Sequence, residues 1–132
     1  MARFKGANNP MSEDARRLKE YLQPCMDLPQ KIDDIDTELD TYEGLGLTDT
    51  EEALREQRRE LFSTLCRYRN EVFDLIRDTP TLTGDERMVL RLRLLRAISW
   101  SNIALTMSRS KSVCLYHYRN AINKIAEHHT AK

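Results

Sequence analysis

Glycine and proline are scarce in this sequence, with four of each among 132 residues. A β-sandwich or barrel needs a turn after each short strand, and such turns draw heavily on both residue types. Charged residues make up 32% of the chain and hydrophobic residues 40%, which suits amphipathic helices around a modest core. The composition therefore predicts an all-α protein.

Long apolar runs and paired cysteines are also missing. No stretch approaches the about 20 apolar residues of a membrane-spanning helix, and the start MARFKGANNP has no apolar signal core. The three cysteines, Cys25, Cys66 and Cys114, are odd in number and form no C-x-x-C pair. We therefore expect a soluble cytoplasmic protein that has reduced thiols and does not contact a membrane.

Catalytic motifs are absent from the sequence as well. It has no glycine-rich phosphate loop, no H-E-x-x-H metal motif and no serine in a nucleophile elbow. Adjacent acids such as Asp33 and Asp34 do not share a helical face. We expect no enzymatic activity, no cofactor and no metal ion.

The net charge of zero combines two halves of opposite sign. Residues 1–83 carry 12 Lys/Arg and 18 Asp/Glu, a net of −6, whereas residues 84–132 carry 9 and 3, a net of +6. A basic segment attracts phosphates locally and an acidic one is repelled by them. This distribution predicts that nucleic acid would meet the C-terminal third.

Apolar residues in alternating steps of four and three predict two long helices, after a short helix capped by Ser12. The first long helix is expected near 28–44, with Pro29 in its first turn, where a missing N–H costs little. The second is expected from about 50 to 78. Joined by a short loop, the two predict an antiparallel helical hairpin of coiled-coil type.

A second apolar row widens the face of the second long helix. Its members are Phe62, Cys66, Phe73 and Ile76. Because a two-helix seam cannot bury this surplus, it must pack against the C-terminal domain or against a second chain. The sequence leaves both possibilities open.

Three further helices are predicted in the C-terminal segment. Thr83 and Glu86 stand in capping-box spacing before the first, Ser99 is placed to cap the short helix WSNIALTM, and Ser110 to cap a third of about fifteen residues. In the first of these helices an inward face is expected at Met88, Leu92 and Leu95, with a contribution from Val89. Four arginines are expected to lie elsewhere on a mostly solvated face, with some meeting phosphate or RNA polymerase: Arg87, Arg91, Arg93 and Arg96.

The pattern R-M-V-L-R-L-R, then I-S-W-x-x-I-A-x-x-M, a serine at 110 and A-I-x-K-I at 121–125 resembles region 4 of bacterial sigma factors. More closely, it is similar to small phage and prophage regulators with a region-4-like helix-turn-helix behind a long helical segment. The resemblance covers roughly residues 84–126; for the hairpin it extends only to the arrangement of helices.

Combined with the helical pattern, the resemblance divides the chain into four segments. The expected segments are a flexible tail at 1–11, a helical hairpin arm at 12–79, a sigma region 4-like helix-turn-helix domain at 80–127 and a tail at 128–132.

The resemblance also implies which residues contact DNA. In a helix-turn-helix the second helix enters the major groove with its N-terminal side chains on base edges. The implied groove-facing residues are Lys111, Ser112, Leu115, Tyr116 and Arg119. A lysine donates hydrogen bonds to guanine O6/N7, and a leucine makes an apolar contact with a thymine methyl group. The implied phosphate contacts are Ser99, Arg109 and Ser110.

Three residues depart from the family pattern. Ser108 stands where the turn often has glycine, which predicts a less sharp turn or one supported by a serine side-chain bond. Cys114 and His117 stand at inward positions that are usually aliphatic. We expect Cys114 to serve as a small hydrophobe and His117 to be half-buried and hydrogen-bonded to backbone, rather than to be a metal ligand or a base.

The implied function is sequence-specific regulation of transcription, as an activator of phage late genes in a bacterial or phage-infected cell. The implied partners are double-stranded DNA, RNA polymerase and a second copy of the chain. Two alternatives stay open. One is an RNA polymerase-binding adaptor or inhibitor that uses the same fold for protein contact, and the other is a DNA-packaging protein similar to a small terminase subunit.

Overall fold

The computed structural model describes residues 10–130, which are mostly helical and contain no β-strand, so the prediction of an all-α protein is confirmed. The helices are α1 (Glu13–Tyr21), α2 (Pro24–Tyr42), α3 (Thr48–Arg77), α4 (Gly84–Leu90), which continues into a π-helical segment (Arg91–Leu95), α5 (Trp100–Met107) and α6 (Lys111–Thr130). Helix α6 thus runs into the segment expected as a tail. Residues 1–9 and 131–132 of the predicted tails lie outside the described residues.

Helix α2 begins at Pro24, earlier than predicted, and Pro29 lies inside it. Pro24 occupies the first position, where its missing N–H does no harm. Pro29 forgoes the hydrogen bond that a helical N–H would donate to the Cys25 carbonyl. Burial of one side of the helix offsets this loss; the buried residues are Cys25, Leu28, Ile32 and Ile35.

Helices α2 and α3 run antiparallel and pack along their apolar sides. Leu28 and Ile32 of α2 share a buried cluster with Leu65 of α3. Nearer the connecting turn, the Arg58 guanidinium donates to the Asp36 carboxylate at 2.6 Å. The chain reverses between the two helices through a turn at 43–46.

The largest buried cluster joins the N-terminal and C-terminal parts of the chain. Among its members are Ala15, Cys25, Val72, Ile76, Val89, Leu90, Tyr118, Ile122 and Ile125. Helix α1 packs against α6, where the Asn123 side chain accepts from the Ser12 N–H at 3.0 Å and donates to the Pro10 carbonyl at 3.3 Å.

The surplus apolar row of α3 is divided between core and surface. Ile76 is buried in the cluster that contains α4 and α6 residues, whereas Phe62 and Phe73 remain 46% and 55% exposed. The C-terminal part of the fold therefore covers only one end of this row.

The inward face of α4 and the π-helical segment differs from the predicted one at two positions. Val89 and Leu92 are buried as expected, but Met88 is 43% exposed and Leu90 is fully buried. Glu86 is also buried: it completes the capping box with Thr83 and accepts from Lys124 Nζ of α6 at 2.7 Å. This contact turns the side of α4 that bears Glu86 and Val89 toward α6, so Met88 is left outside.

Two of the four arginines expected in solvent bind main-chain carbonyls. Arg87 donates to the carbonyls of Ile76 and Thr79 near the end of α3. Arg93 donates to the Ile98 carbonyl at 3.0 Å and lies 4.8 Å from the centre of the Trp100 ring. The prediction of a solvated face is therefore wrong for Arg87 and Arg93; Arg91 and Arg96 are exposed.

Candidate nucleic-acid interface

Helix α5 is held by a cap and by one buried side. The Ser99 hydroxyl accepts from the Asn102 N–H at 3.3 Å. Ile103 and Ala104 are buried together with Leu92 and Cys114. These contacts fix α5 between the π-helical segment and the start of α6, and they leave its other side exposed.

The turn after α5 closes through main-chain hydrogen bonds. Ser108 adopts a left-handed conformation with φ 53° and ψ 42°. Its N–H donates to the Leu105 carbonyl at 3.2 Å, and the Arg109 N–H donates to the Ala104 carbonyl at 3.0 Å. This is the Schellman pattern, in which glycine is the usual residue. Ser108 therefore makes the same sharp turn as a glycine, and the expectation of a less sharp turn is wrong.

Helix α6 begins with exposed polar residues over a buried cysteine. The Ser110 hydroxyl accepts from the Val113 N–H at 3.2 Å, and Lys111 and Ser112 are exposed in the first turn. Cys114 is fully buried, and burial raises the pKa of its thiol. It packs as a small hydrophobe and lets the turn approach the rest of the fold closely.

A shallow depression of about 680 Å³ lies where α5, the turn and α6 meet. Its lining residues are Ser101, Ala104, Leu105, Ser108, Arg109, Ser110 and Lys111. Three of the residues singled out in the sequence, Arg109, Ser110 and Lys111, are therefore neighbours on one exposed surface. The first N–H groups of a helix, a serine hydroxyl and two cations form a surface on which a phosphate is stabilised.

The other residues singled out in the sequence lie around this depression. Ser112 is exposed beside Lys111, whereas Leu115, Tyr116 and Arg119 are half-buried along α6. Ser99 is exposed at the start of α5 and does not line the depression. The first turn of α6 is thus polar and exposed, and the following turns carry half-buried apolar, aromatic and charged side chains.

Helix α1 limits how far this surface extends along α6. Residues 115, 119, 122 and 126 recur at helical spacing and share one side of α6. Ile122 and Ala126 are buried in the same cluster as Ala15 of α1. A partner therefore reaches this side of α6 only as far as about Arg119.

Asp85 is a further residue of the site that the sequence reading missed. Its Oδ2 lies 3.5 Å from Arg109 Nη2 and 3.7 Å from His117 Nε2. His117 is half-buried as expected, but the polar group nearest its ring is this carboxylate, so the expectation of a backbone partner is wrong. Arg109 and Asp85 are about half exposed, so their ion pair is weak enough for a phosphate to compete for the arginine. This contact could not be predicted from the sequence, because Asp85, at the start of α4, is far along the chain from the turn.

Leu105 is the second residue that was missed. It is 76% exposed on α5 and lines the depression. The sequence did carry a signal, because Leu105 does not share the side of WSNIALTM on which Trp100, Ile103 and Met107 recur at helical spacing. An apolar side chain at the edge of a basic surface provides a contact for a thymine methyl or for an apolar protein side chain.

No profile of a known protein family, no curated protein sequence and no solved structure matches this chain. Within residues 10–130, no group of three or more His, Cys, Asp or Glu side chains is arranged to hold a metal ion. In the same part of the chain, no helix has both the length and the apolar character needed to cross a membrane. A role for the α5–α6 surface must therefore be inferred from its own chemistry.

Proposed function

We propose that this protein is a sequence-specific DNA-binding regulator of transcription and that α5, the turn and α6 are its helix-turn-helix. The observation that carries the proposal is the exposed depression between α5 and α6, which Arg109, Ser110 and Lys111 line at the start of α6. This surface belongs to the basic third of the chain, whose net charge is +6. The acidic remainder is repelled by the same phosphates, so DNA approaches from this side.

In the proposed complex the start of α6 enters the major groove. Lys111 and Ser112, exposed in the first turn, read base edges, and Leu115 and Tyr116 extend the contact along the groove. Ser110 and Arg109 hold a phosphate, and Arg109 leaves Asp85 to do so. Arg119 faces the groove one turn further along α6, and Ser99 contacts the DNA backbone.

The resemblance to region 4 of sigma factors supports a role in activating phage late genes, with RNA polymerase as a further partner. A single small domain of this kind makes few phosphate contacts, so its affinity at physiological salt is low. A homodimer gains from effective concentration. It would bind half-sites separated by about one helical turn, roughly 34 Å, or by a multiple of it.

The test is selection of fragments from a genomic DNA library by the purified full-length protein at two salt concentrations, followed by sequencing. We expect a shared sequence motif among the retained fragments, and its loss with Lys111→Ala and Ser112→Ala. A direct titration of the recovered motif should then show each variant weakened by about 1–3 kcal/mol of base discrimination.

Lys31→Ala is the matched control, because Lys31 is an exposed lysine on α2 outside the proposed interface. It should bind the selected motif as the unchanged protein does. Retention without any shared motif, lost steeply with salt, would contradict sequence-specific readout. No retention at either salt concentration would exclude DNA binding by the protein alone.

A second candidate function, protein contact by the same fold, is favoured by Leu105. This side chain is 76% exposed, and an adaptor or inhibitor of RNA polymerase would use it as an apolar anchor. Under this alternative, Leu105→Ser abolishes binding to purified RNA polymerase, while Lys111→Ala changes neither DNA nor polymerase binding. Under the DNA-binding proposal, Lys111→Ala weakens DNA binding more than Leu105→Ser does.

A further inference from the structure

One side of α3 exposes large aromatic residues that no other described part of the chain covers. Phe62 is 46% and Phe73 55% exposed, and Cys66 between them is only half-buried. Residues 62, 66 and 73 lie on one side of a helix because of their spacing. Exposed aromatic residues grouped in this way are typical of a surface that another molecule covers.

An ion pair identifies the part of α2 that lies beside this side of α3. Arg58 donates to Asp36 at 2.6 Å. The hydrogen bond and the charge of Asp36 raise the pKa of Arg58, and the charge of Asp33 adds to this effect. Phe62 is one turn after Arg58 on α3. The acidic side of α2 therefore lies next to the aromatic side of α3.

The two helices together form one face with two stripes, which we call the striped face. The acidic stripe on α2 is made of Asp33, Asp36 and Asp40, and the second stripe on α3 is made of Arg55, Arg58, Phe62 and Cys66. The Arg55 guanidinium lies 3.6 Å from the Glu51 carboxylate one turn earlier on α3, and the Arg55 side chain is still 56% exposed. Both follow helical spacing along their helices. Because α2 and α3 are antiparallel and Asp36 is level with Arg58, Asp40 is nearly level with Arg55.

We infer that the striped face is the interface between two copies of this chain, related by a two-fold axis parallel to α2 and α3. Such an axis lays the acidic stripe of each copy over the arginine and phenylalanine stripe of the other at the same height. Asp40 then meets Arg55 of the partner subunit, and Phe62 is buried near the centre. A two-fold axis across the helices would instead place acid over acid, which is repulsive.

This arrangement has a consequence for DNA, which rests on the proposed function. The axis runs along the helices, so the C-terminal parts of both copies lie at the same end of the dimer. Two α5–α6 surfaces at one end approach the same duplex, and the second contact gains from effective concentration. The turns at 43–46 lie at the opposite end.

The first experiment measures the mass of the full-length protein in solution by sedimentation equilibrium, over a wide range of concentrations and at two salt concentrations. We expect a reversible dimer that dissociates more readily at high salt, because its stripes are held by exposed charges. Phe62→Ser should weaken dimerisation by about tenfold or more, as truncation of a central aromatic does. Met88→Ser, which removes a similarly exposed apolar side chain from α4, is the matched control and should dimerise normally.

A monomer at every concentration would overturn the inference, and so would a Phe62→Ser protein that dimerises as strongly as the unchanged one. Circular dichroism of each variant confirms that the helices are retained. Because the measurement contains no DNA, its result tests dimerisation alone. The DNA-binding proposal is tested separately by the selection of DNA fragments.

The second experiment tests the axis with two charge reversals, Asp40→Arg and Arg55→Asp. Alone, each variant brings like charges together across the interface and should stay monomeric. Mixed in equal amounts, they place arginine against aspartate at both contacts and should form a heterodimer. A mixture that stays monomeric, or single variants that dimerise as the unchanged protein does, would overturn this geometry.

Discussion

Two residues with left-handed backbone conformations border α5. Ala97, just before it, has φ 52°, and Ser108, just after it, has φ 53°. Neither is glycine, so each conformation costs roughly 1–2 kcal/mol. The packing of α5 against Leu92 and Cys114 outweighs this strain. The direction in which α5 enters and leaves the candidate interface thus depends on two strained residues.

At the residue scale, Ala97→Gly should raise the free energy of unfolding by about 1 kcal/mol, because glycine adopts this φ without steric cost. The measurement is urea denaturation followed by circular dichroism. Ala53→Gly is the matched control: Ala53 is exposed in α3, and the change should lower the free energy of unfolding by about 0.5–1 kcal/mol. Destabilisation by both changes would show that Ala97 carries no relievable strain.

At the scale of secondary structure, the reversal between α2 and α3 depends on a short glycine turn. Gly44 and Gly46 have φ of 79° and 73°, and a Cβ at either would meet no atom within 4 Å. The requirement for glycine is therefore one of backbone conformation and not of space. The positions of α2 and α3, and with them the striped face, follow from this turn.

Gly46→Ala should lower the free energy of unfolding by about 1–2 kcal/mol, because alanine resists the left-handed conformation. Thermal unfolding measures the change. Gly84→Ala is the control: Gly84 lies in α4 with an ordinary φ and open space around it, so alanine should stabilise the protein by about 0.4–1 kcal/mol. Equal effects of the two changes would contradict the conformational explanation.

At the scale of the whole molecule, the first and last helices pack against each other. Ala15 of α1 is fully buried in the cluster that includes Ile122 and Ile125 of α6. Asn123 fixes the segment before α1 with two hydrogen bonds to main-chain groups. The helix that carries the candidate interface therefore depends on residues more than a hundred positions earlier in the chain.

Ala15→Glu should detach α1 from α6, because a carboxylate would be buried there without a partner, at a cost of about 2 kcal/mol or more. Hydrogen exchange checks this: α1 amides should exchange much faster than in the unchanged protein, while α3 amides keep most of their protection. Ala53→Glu, at an exposed position, should change neither. Full protection of α1 in the Ala15→Glu protein would contradict the proposed contact.

Much of the candidate interface was predictable from local signals. Ser99 and Ser110 cap their helices as expected, and Lys111 and Ser112 are exposed in the first turn of α6. Cap side chains bond to groups within three residues, so their partners are visible in the sequence. Asp85 was missed because its partner Arg109 is 24 residues away.

The sequence by itself determined the helical class, the positions of most helix starts and the separation of acidic from basic residues, because these depend on neighbours within about one helical turn. Only the tertiary structure decided that α1 covers part of α6, that Met88 faces outward and that Phe62 and Phe73 remain exposed. These outcomes depend on which helices share a core. Side chains far apart in sequence compete for the same buried space, and the spacing of apolar residues within one helix does not show which of them is buried.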